Sequence, residues 1–223
     1  MGTVTLVRHG QASFGASDYD QLSELGARQC EALGDYFAAR GRRFDVVLTG
    51  TLKRHAQSLA AISARLAGLP AARAVPALDE YDADALVRGA AGDRPLPIHT
   101  PGGDRREHFR LLRVALERWM HGELEVPGMR SWAVFRDGVA ALLDELRTGR
   151  AGDTLVVSSG GPIATAVAHV LQAPPSAVVA LNLQMRNSAV TELTATSARH
   201  WLVSYNGLPH LDDPQRAGWV TFS

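Results

Sequence analysis

Cysteine and lysine are almost absent from this chain of 223 residues: Cys30 is its only cysteine, and Lys53 its only lysine among 23 basic residues. A single cysteine can form neither an internal disulfide nor a cysteine-based zinc centre. Cys30 therefore reads as a small buried apolar side chain. Excess charge of either sign is also missing, since 23 Lys and Arg balance 23 Asp and Glu. That balance removes the bulk electrostatic case for a nucleic-acid or anionic-membrane surface. No apolar run approaches the ~20 residues of a membrane span. The opening stretch Met1–Val7 reaches Arg8 and His9 too early for the apolar core of a signal peptide. Leu6 stands where a myristoylation motif needs Ser or Thr. No Gly-x-Gly-x-x-Gly follows a strand, and no histidine pair has metal-ligand spacing with supporting carboxylates. These absences predict a soluble, cytoplasmic protein with no cofactor and no metal, bound neither to nucleic acid nor to membrane. The arginine skew is that of a G+C-rich genome, and no mechanism follows from it.

What is present alternates between short β-branched runs and longer helical stretches. Thr3–Val7 reads as a strand, and Ser23 caps a helix to about Arg40, with Gly41 just past its end. Phe44–Leu48 is a second buried strand, followed by Thr49-Gly50-Thr51 and a helix to about Ala67, then a short strand near 74–78. Thr154–Val157 is the most apolar strand and runs into Ser158-Ser159-Gly160-Gly161-Pro162. Pro162 suits a first helical position, opening a helix to about Leu171. Residues 188–193 and 200–205 read as two antiparallel strands. Strand, helix, strand, helix is the pattern of a mostly parallel sheet covered on both faces, a three-layer α/β/α sandwich. The pattern breaks over 82–130, where a Gly- and Pro-rich stretch precedes an Arg-rich helix at about 104–121. We read one domain over 1–223, with 82–130 as an insertion over one edge of the sheet. A helix over 131–147 rejoins the main pattern.

Open parallel sheets bind ligands beyond the carboxyl ends of their strands. Here those ends carry Arg8, His9, Gly10 and Gln11; then Thr49, Gly50, Thr51 and Arg54; then Asp79 and Glu80; then Ser158, Ser159, Gly160 and Gly161. Arginine forks match phosphate oxygens, and helix N-termini offer unpaired N–H groups to anions. The set predicts a phosphate pocket with one possible nucleophile, His9, and one possible proton donor. Arg-His-Gly by itself is a weak signal, strengthened by its place directly after an N-terminal strand. Ser159 lacks the Gly-x-Ser-x-Gly elbow of a hydrolase nucleophile and reads instead as a residue lining the phosphate pocket.

The sequence resembles the histidine phosphatase superfamily, which includes the cofactor-dependent phosphoglycerate mutases. The matching stretches are Leu6–Gln11, Leu22–Gly26, Thr51–Ser58, Leu78–Glu80 and Val156–Ile163, in the family's order over nearly the whole chain. The resemblance implies that His9 is phosphorylated during turnover. It makes Arg8 and Arg54 the holders of the phosphoryl group, with Ser159 and Gly160 beside them, and makes Glu80 the general acid. Asp79, Asp82 and Asp84 are competitors for the last role. A neutral imidazole nitrogen can attack phosphorus and leave again, which splits one hard displacement into two. The implied substrate is a small phosphomonoester.

One position departs from the family. Where a second pocket histidine is expected before the Gly-Gly pair, this chain has Ser159. Losing one charge-stabilising donor costs on the order of 10² to 10³ in rate. The N–H groups of Ser159, Gly160 and Gly161 are expected to compensate in part. His55 is not expected to substitute, because it points about 100° away from Arg54 on the same helix. The leading expectation is a metal-independent phosphatase. The alternatives are a degenerate member that binds a phosphorylated ligand or partner with little turnover and, ranked lower, a phosphoglycerate mutase. Of the other histidines, His169 is expected in a helix core and His99, His108 and His121 in the insertion. The run Arg105, Arg106, Arg110 and Arg113 reads as a solvated helix face. Trp119 and Trp132 are expected to fix the insertion to the sheet.

Overall fold

A computed structural model describes residues 2–13, 20–92, 105–149 and 152–222. Its six strands are β1 (Gly2–Arg8), β2 (Val46–Thr49), β3 (Arg73–Ala74), β4 (Thr154–Ser158), β5 (Val190–Ala195) and β6 (His200–Gly207). They form one sheet in the order β3-β2-β4-β1-β5-β6. β1, β2, β3 and β4 run parallel, while β5 pairs antiparallel with both β1 and β6.

Side-chain alternation along the central strands splits the interior in two. Val4, Leu6, Leu48 and Val156 point to one face, Val7, Val47, Leu155 and Val157 to the other. The second face is closed by α1 (Glu24–Ala39) and α2 (Lys53–Ser63), through Cys30, Leu33, Phe37 and Ile62. The first is closed by α3 (Ala83–Ala91), α4 (Arg105–Met120), α5 (Trp132–Thr148), α6 (Gly160–Leu171) and α7 (Pro175–Leu183). The fold is thus a three-layer α/β/α sandwich on a mostly parallel sheet. No helix among the described residues is long and apolar enough to cross a membrane.

Local signals set several boundaries. Ser23 caps α1 by accepting the Gly26 N–H at 3.0 Å, and Gly41 follows the helix in the left-handed region at φ +60. Ser131 caps α5 in the same way, from Val134. Other expectations need correction. The strand expected near 74–78 is only Arg73–Ala74, because Pro76 starts a 3-10 turn over Pro76–Leu78. α2 ends at Ser63 rather than near Ala67, and α6 begins at Gly160, which makes Pro162 its third residue. His169 is exposed in the last turn of α6 rather than buried. His99 lies outside the described residues. Trp119 does pack tightly, but against Tyr81, Trp132 and Phe135, so it joins α4 to α5 and to the segment after Glu80.

Candidate active site

β2, β4 and β1 are neighbours, so their carboxyl ends lie side by side, with Arg8 in register with Ser158 and Thr49 with Val157. His9 follows directly and is fixed through its backbone. Its N–H donates to the Ser158 carbonyl at 2.9 Å, and its carbonyl accepts the Ser188 N–H at 3.1 Å. The next N–H, of Gly10, donates to Ser58 Oγ at 3.1 Å, and that hydroxyl donates to the Arg54 carbonyl at 2.7 Å. β1 and the first turn of α2 are thereby tied together at the site.

The His9 ring has a defined tautomer. Nδ1 lies 2.7 Å from the Gly10 carbonyl oxygen, which can only accept, so Nδ1 carries the proton and Nε2 keeps its lone pair. Burial, followed by the charges of Arg8, Arg54 and His55, holds the His9 pKa well below the usual histidine value. His9 is a neutral imidazole at neutral pH.

Arg8 and Arg54 are both buried. Arg8 donates to the Met185 carbonyl, at the end of α7, and Arg54 Nη1 is paired with Asp20 Oδ1 at 2.8 Å. Asp20 Oδ2 also accepts the Lys53 N–H at 2.8 Å, at the start of α2. Gly160 and Gly161 open α6, and Ser159 precedes them as N-cap without making a side-chain cap bond. The Gly161 N–H is already donated to Glu80 Oε2 at 3.0 Å, which removes it from the donors expected to replace the missing histidine. A side chain on Gly161 would overlap the Glu80 carboxylate, so that approach depends on glycine.

Glu80 is half-buried. Burial raises its pKa, outweighing the Gly161 N–H and the charges of Arg54 and Arg8. Two nearby arginines alone would favour the carboxylate; desolvation reverses that expectation. Asp79 behaves oppositely. Burial would raise it too, but the His55 ring 3.7 Å away and the hydrogen bonds from Thr51 win and its pKa is lowered. Asp82 is committed to capping α3 through the Ala85 N–H at 2.8 Å.

His55 points away from Arg54 and meets Ser159. It is fully buried, with Nε2 2.7 Å from Ser159 Oγ and its ring centroid 5.7 Å from that of His9. The angle between consecutive helix residues is real: Arg54 reaches toward Asp20, His55 toward Ser159 and Asp79. Both residues still lie close to His9, Arg54 through its charge and His55 through its ring. Tyr81 and Asn182 were not singled out by sequence. Asn182 Nδ2 donates to the Tyr81 hydroxyl at 2.6 Å, and Asn182 stands over Gly160. His210 sits farther out, 2.9 Å from Ser188 Oγ. Arg110 and Arg113 are exposed on α4.

The strand ends of this open α/β sheet bring a neutral imidazole, two buried arginines and a helix N-terminus together, an arrangement chemically suited to a small oxyanion. The sequence agrees: residues 4–90 and 102–207 match the profile of the histidine phosphatase superfamily (branch 1), and the chain belongs to that superfamily. Similar solved structures share the fold. A phosphoserine phosphatase mutant from Entamoeba histolytica, in complex with phosphoserine, aligns at TM-score 0.63 and 20% identity over 95% of this chain and 100% of that one. A mycobacterial glucosyl-3-phosphoglycerate phosphatase with inorganic phosphate gives 0.63 and 21% over 93% and 98%. An alpha-ribazole-5'-P phosphatase candidate from Escherichia coli gives 0.68 and 18% over 93% and 97%. Among curated protein sequences none matches.

Proposed function

We propose that the protein is a metal-independent phosphatase that hydrolyses a small phosphomonoester through a phosphohistidine at His9. The observation that carries this reading is the state of His9, a buried neutral ring with its proton committed to the Gly10 carbonyl and two arginines beside it. Arg8 and Arg54 hold the phosphoryl oxygens, with the Ser159 hydroxyl and the Gly160 end of α6 beside them. Nε2 attacks phosphorus as the ester P–O bond breaks, and protonated Glu80 gives its proton to the leaving alkoxide. The Glu80 carboxylate then takes a proton from water, the resulting hydroxide attacks phosphorus, and the N–P bond breaks. Inorganic phosphate leaves, and Glu80 is protonated again. Nδ1 keeps its proton throughout and donates it in a hydrogen bond to the Gly10 carbonyl, which stabilises positive charge on the phosphorylated ring.

Family membership supports the reaction class, and the phosphoserine and glucosyl-3-phosphoglycerate enzymes of the same fold act on monoesters. Residues 82–130 come soon after Glu80 in the chain, which supports a role for them in selecting the leaving group; α4 packs on α3, α5 and α7. A second reading, a binder with little turnover, draws on the uncharged Ser159. Phosphate release from an aryl phosphate separates the two. Turnover abolished by His9→Ala supports the phosphatase; equal release from both proteins overturns it.

A further inference from the structure

Three side chains stand in line beside His9. The His55 ring has Nε2 2.7 Å from Ser159 Oγ and Nδ1 3.7 Å from Asp79 Oδ1. Asp79 is fixed in turn by the Thr51 N–H at 2.5 Å and by the Thr51 hydroxyl. Space for the array comes from Gly50, where any side chain would overlap both His55 Nδ1 and Asp79 Oδ1. Ser159 heads α6 without capping it, its hydroxyl engaged by His55 instead. Two of the three are fully buried, where a charge is screened weakly.

The positions of the protons follow from donor and acceptor chemistry. Asp79 is held as a carboxylate and, at 3.7 Å, makes no hydrogen bond to His55 Nδ1, yet its negative charge favours the neutral His55 tautomer with the proton on that nitrogen. Nε2 then accepts the Ser159 hydroxyl, whose hydrogen points away from any phosphoryl group. One proton added at Nε2 reverses this: Nε2–H donates to Ser159 Oγ, and the hydroxyl hydrogen turns to a phosphoryl oxygen. The site has reason to use that proton. Arg54 shares its charge with Asp20, and Asp79 adds another carboxylate beside the pocket, so an arriving dianion calls for more positive charge.

We infer that Asp79, His55 and Ser159 form a proton-taking relay, in which entry of a phosphoryl dianion draws one proton from solvent onto His55 Nε2 and the Ser159 hydroxyl donates to the bound group. No bond to phosphorus forms in the relay, and the proton returns to solvent when phosphate leaves. His55 is a positioning residue, and Ser159 makes the contact. The inference rests on the reading that Arg8, His9 and Arg54 hold the phosphoryl group. His55 is faced by Arg54 on its own helix, by Asp79, by Asp20, by His9 and by the uncharged Ser159. Burial, helped by Arg54 and opposed by Asp79 and Asp20, lowers its pKa, so the ring starts neutral.

Calorimetric titration with sulfate, in buffers of different ionisation enthalpy, counts protons taken up on binding. Sulfate keeps its charge across the pH range, so the count belongs to the protein. His9→Ala combined with Glu80→Gln removes the two other groups that a dianion would protonate. In that background we expect uptake of about one proton per sulfate between the free and bound pKa of His55, with affinity falling about tenfold per pH unit there. Adding His55→Gln abolishes the uptake, and Asp79→Asn moves its window to lower pH. Imidazole ¹⁵N NMR of the otherwise unaltered protein checks the same event without variants at the relay: sulfate moves the His55 signals to the imidazolium position. In turnover, His55→Gln lowers kcat/KM for an aryl phosphate on the order of 10²-fold. Sulfate bound without proton uptake, or with equal uptake in the His55→Gln protein, overturns the relay alone. Failure of sulfate to bind among Arg8, Arg54 and Ser159 overturns both the relay and the phosphatase reading.

Discussion

Asp79 and Glu80 are consecutive in the chain and are pushed to opposite protonation behaviour. Asp79 accepts from Thr51 and faces His55, and its pKa falls; Glu80 is desolvated under the start of α6, and its pKa rises. Two carboxyls with diverging environments fit the division of the proposed reaction, Asp79 as fixed anion and Glu80 as proton donor.

The division predicts how the two substitutions differ. A raised pKa lets Glu80 keep its proton to higher pH than an ordinary glutamate, so kcat/KM for alkyl phosphates falls as pH rises through that value. The acid limb, set by His9, lies well below the usual histidine range. Glu80→Gln should lower kcat/KM for alkyl phosphates by about 10² to 10⁴ and remove the part of their alkaline fall that aryl phosphates do not share. Aryl phosphates, whose leaving oxygen needs no proton, should lose far less. Asp79→Asn should slow both classes alike. Equal losses for both classes in Glu80→Gln would exclude Glu80 as the donor.

Asp20 lies 2.8 Å from Arg54 Nη1 and, if Arg54 holds the phosphoryl group as proposed, competes with substrate for it. Asp20→Asn keeps an oxygen for the Lys53 N–H while removing the charge. Inhibition by inorganic phosphate should strengthen on the order of threefold to tenfold, the scale of about 1 kcal/mol for a partly exposed ion pair. An unchanged inhibition constant would show that the pair opens without cost when the anion binds.

Acid stability carries a separate signature. His210 is buried against Ser188, whose N–H holds the His9 carbonyl, and burial pushes its pKa down to about 3. The unfolded chain binds a proton at this residue near pH 6.5, the folded chain only near pH 3. Stability contributed by His210 is therefore complete above about pH 6.5 and is lost as pH falls toward 3, by at most about 1.4 kcal/mol per pH unit. Denaturant melts at pH 7 and pH 5 should show His210→Gln losing less stability on acidification than the parent. Parallel losses would contradict the assignment.

Parts of this architecture were legible because the deciding information is local. β1 and β4 are short apolar runs, Ser23 caps α1, and the pocket residues sit at strand ends where an open sheet places ligands. α7 was not legible: it buries only Val178 and Val179, carries apolar residues around its circumference and follows Pro174. α3 hides in a Gly- and Ala-rich stretch where strand signals end. His55 lay inside a stretch already singled out, yet its contacts with Ser159 and His9 are long-range, which helix periodicity does not contain. Asn182 reaches the site only through α7, so no pattern near the recognised motifs could reveal it.

Chemical trapping of the phosphoenzyme tests the central claim most directly. Mixing the protein with a radiolabelled phosphomonoester, quenching within the first turnover and mapping the labelled peptide distinguishes two nucleophiles that lie close together. The account predicts label on His9, stable to alkali, released by mild acid and absent in His9→Ala. Label that resists acid and maps to Ser159, the hydroxyl bonded to His55, would contradict it.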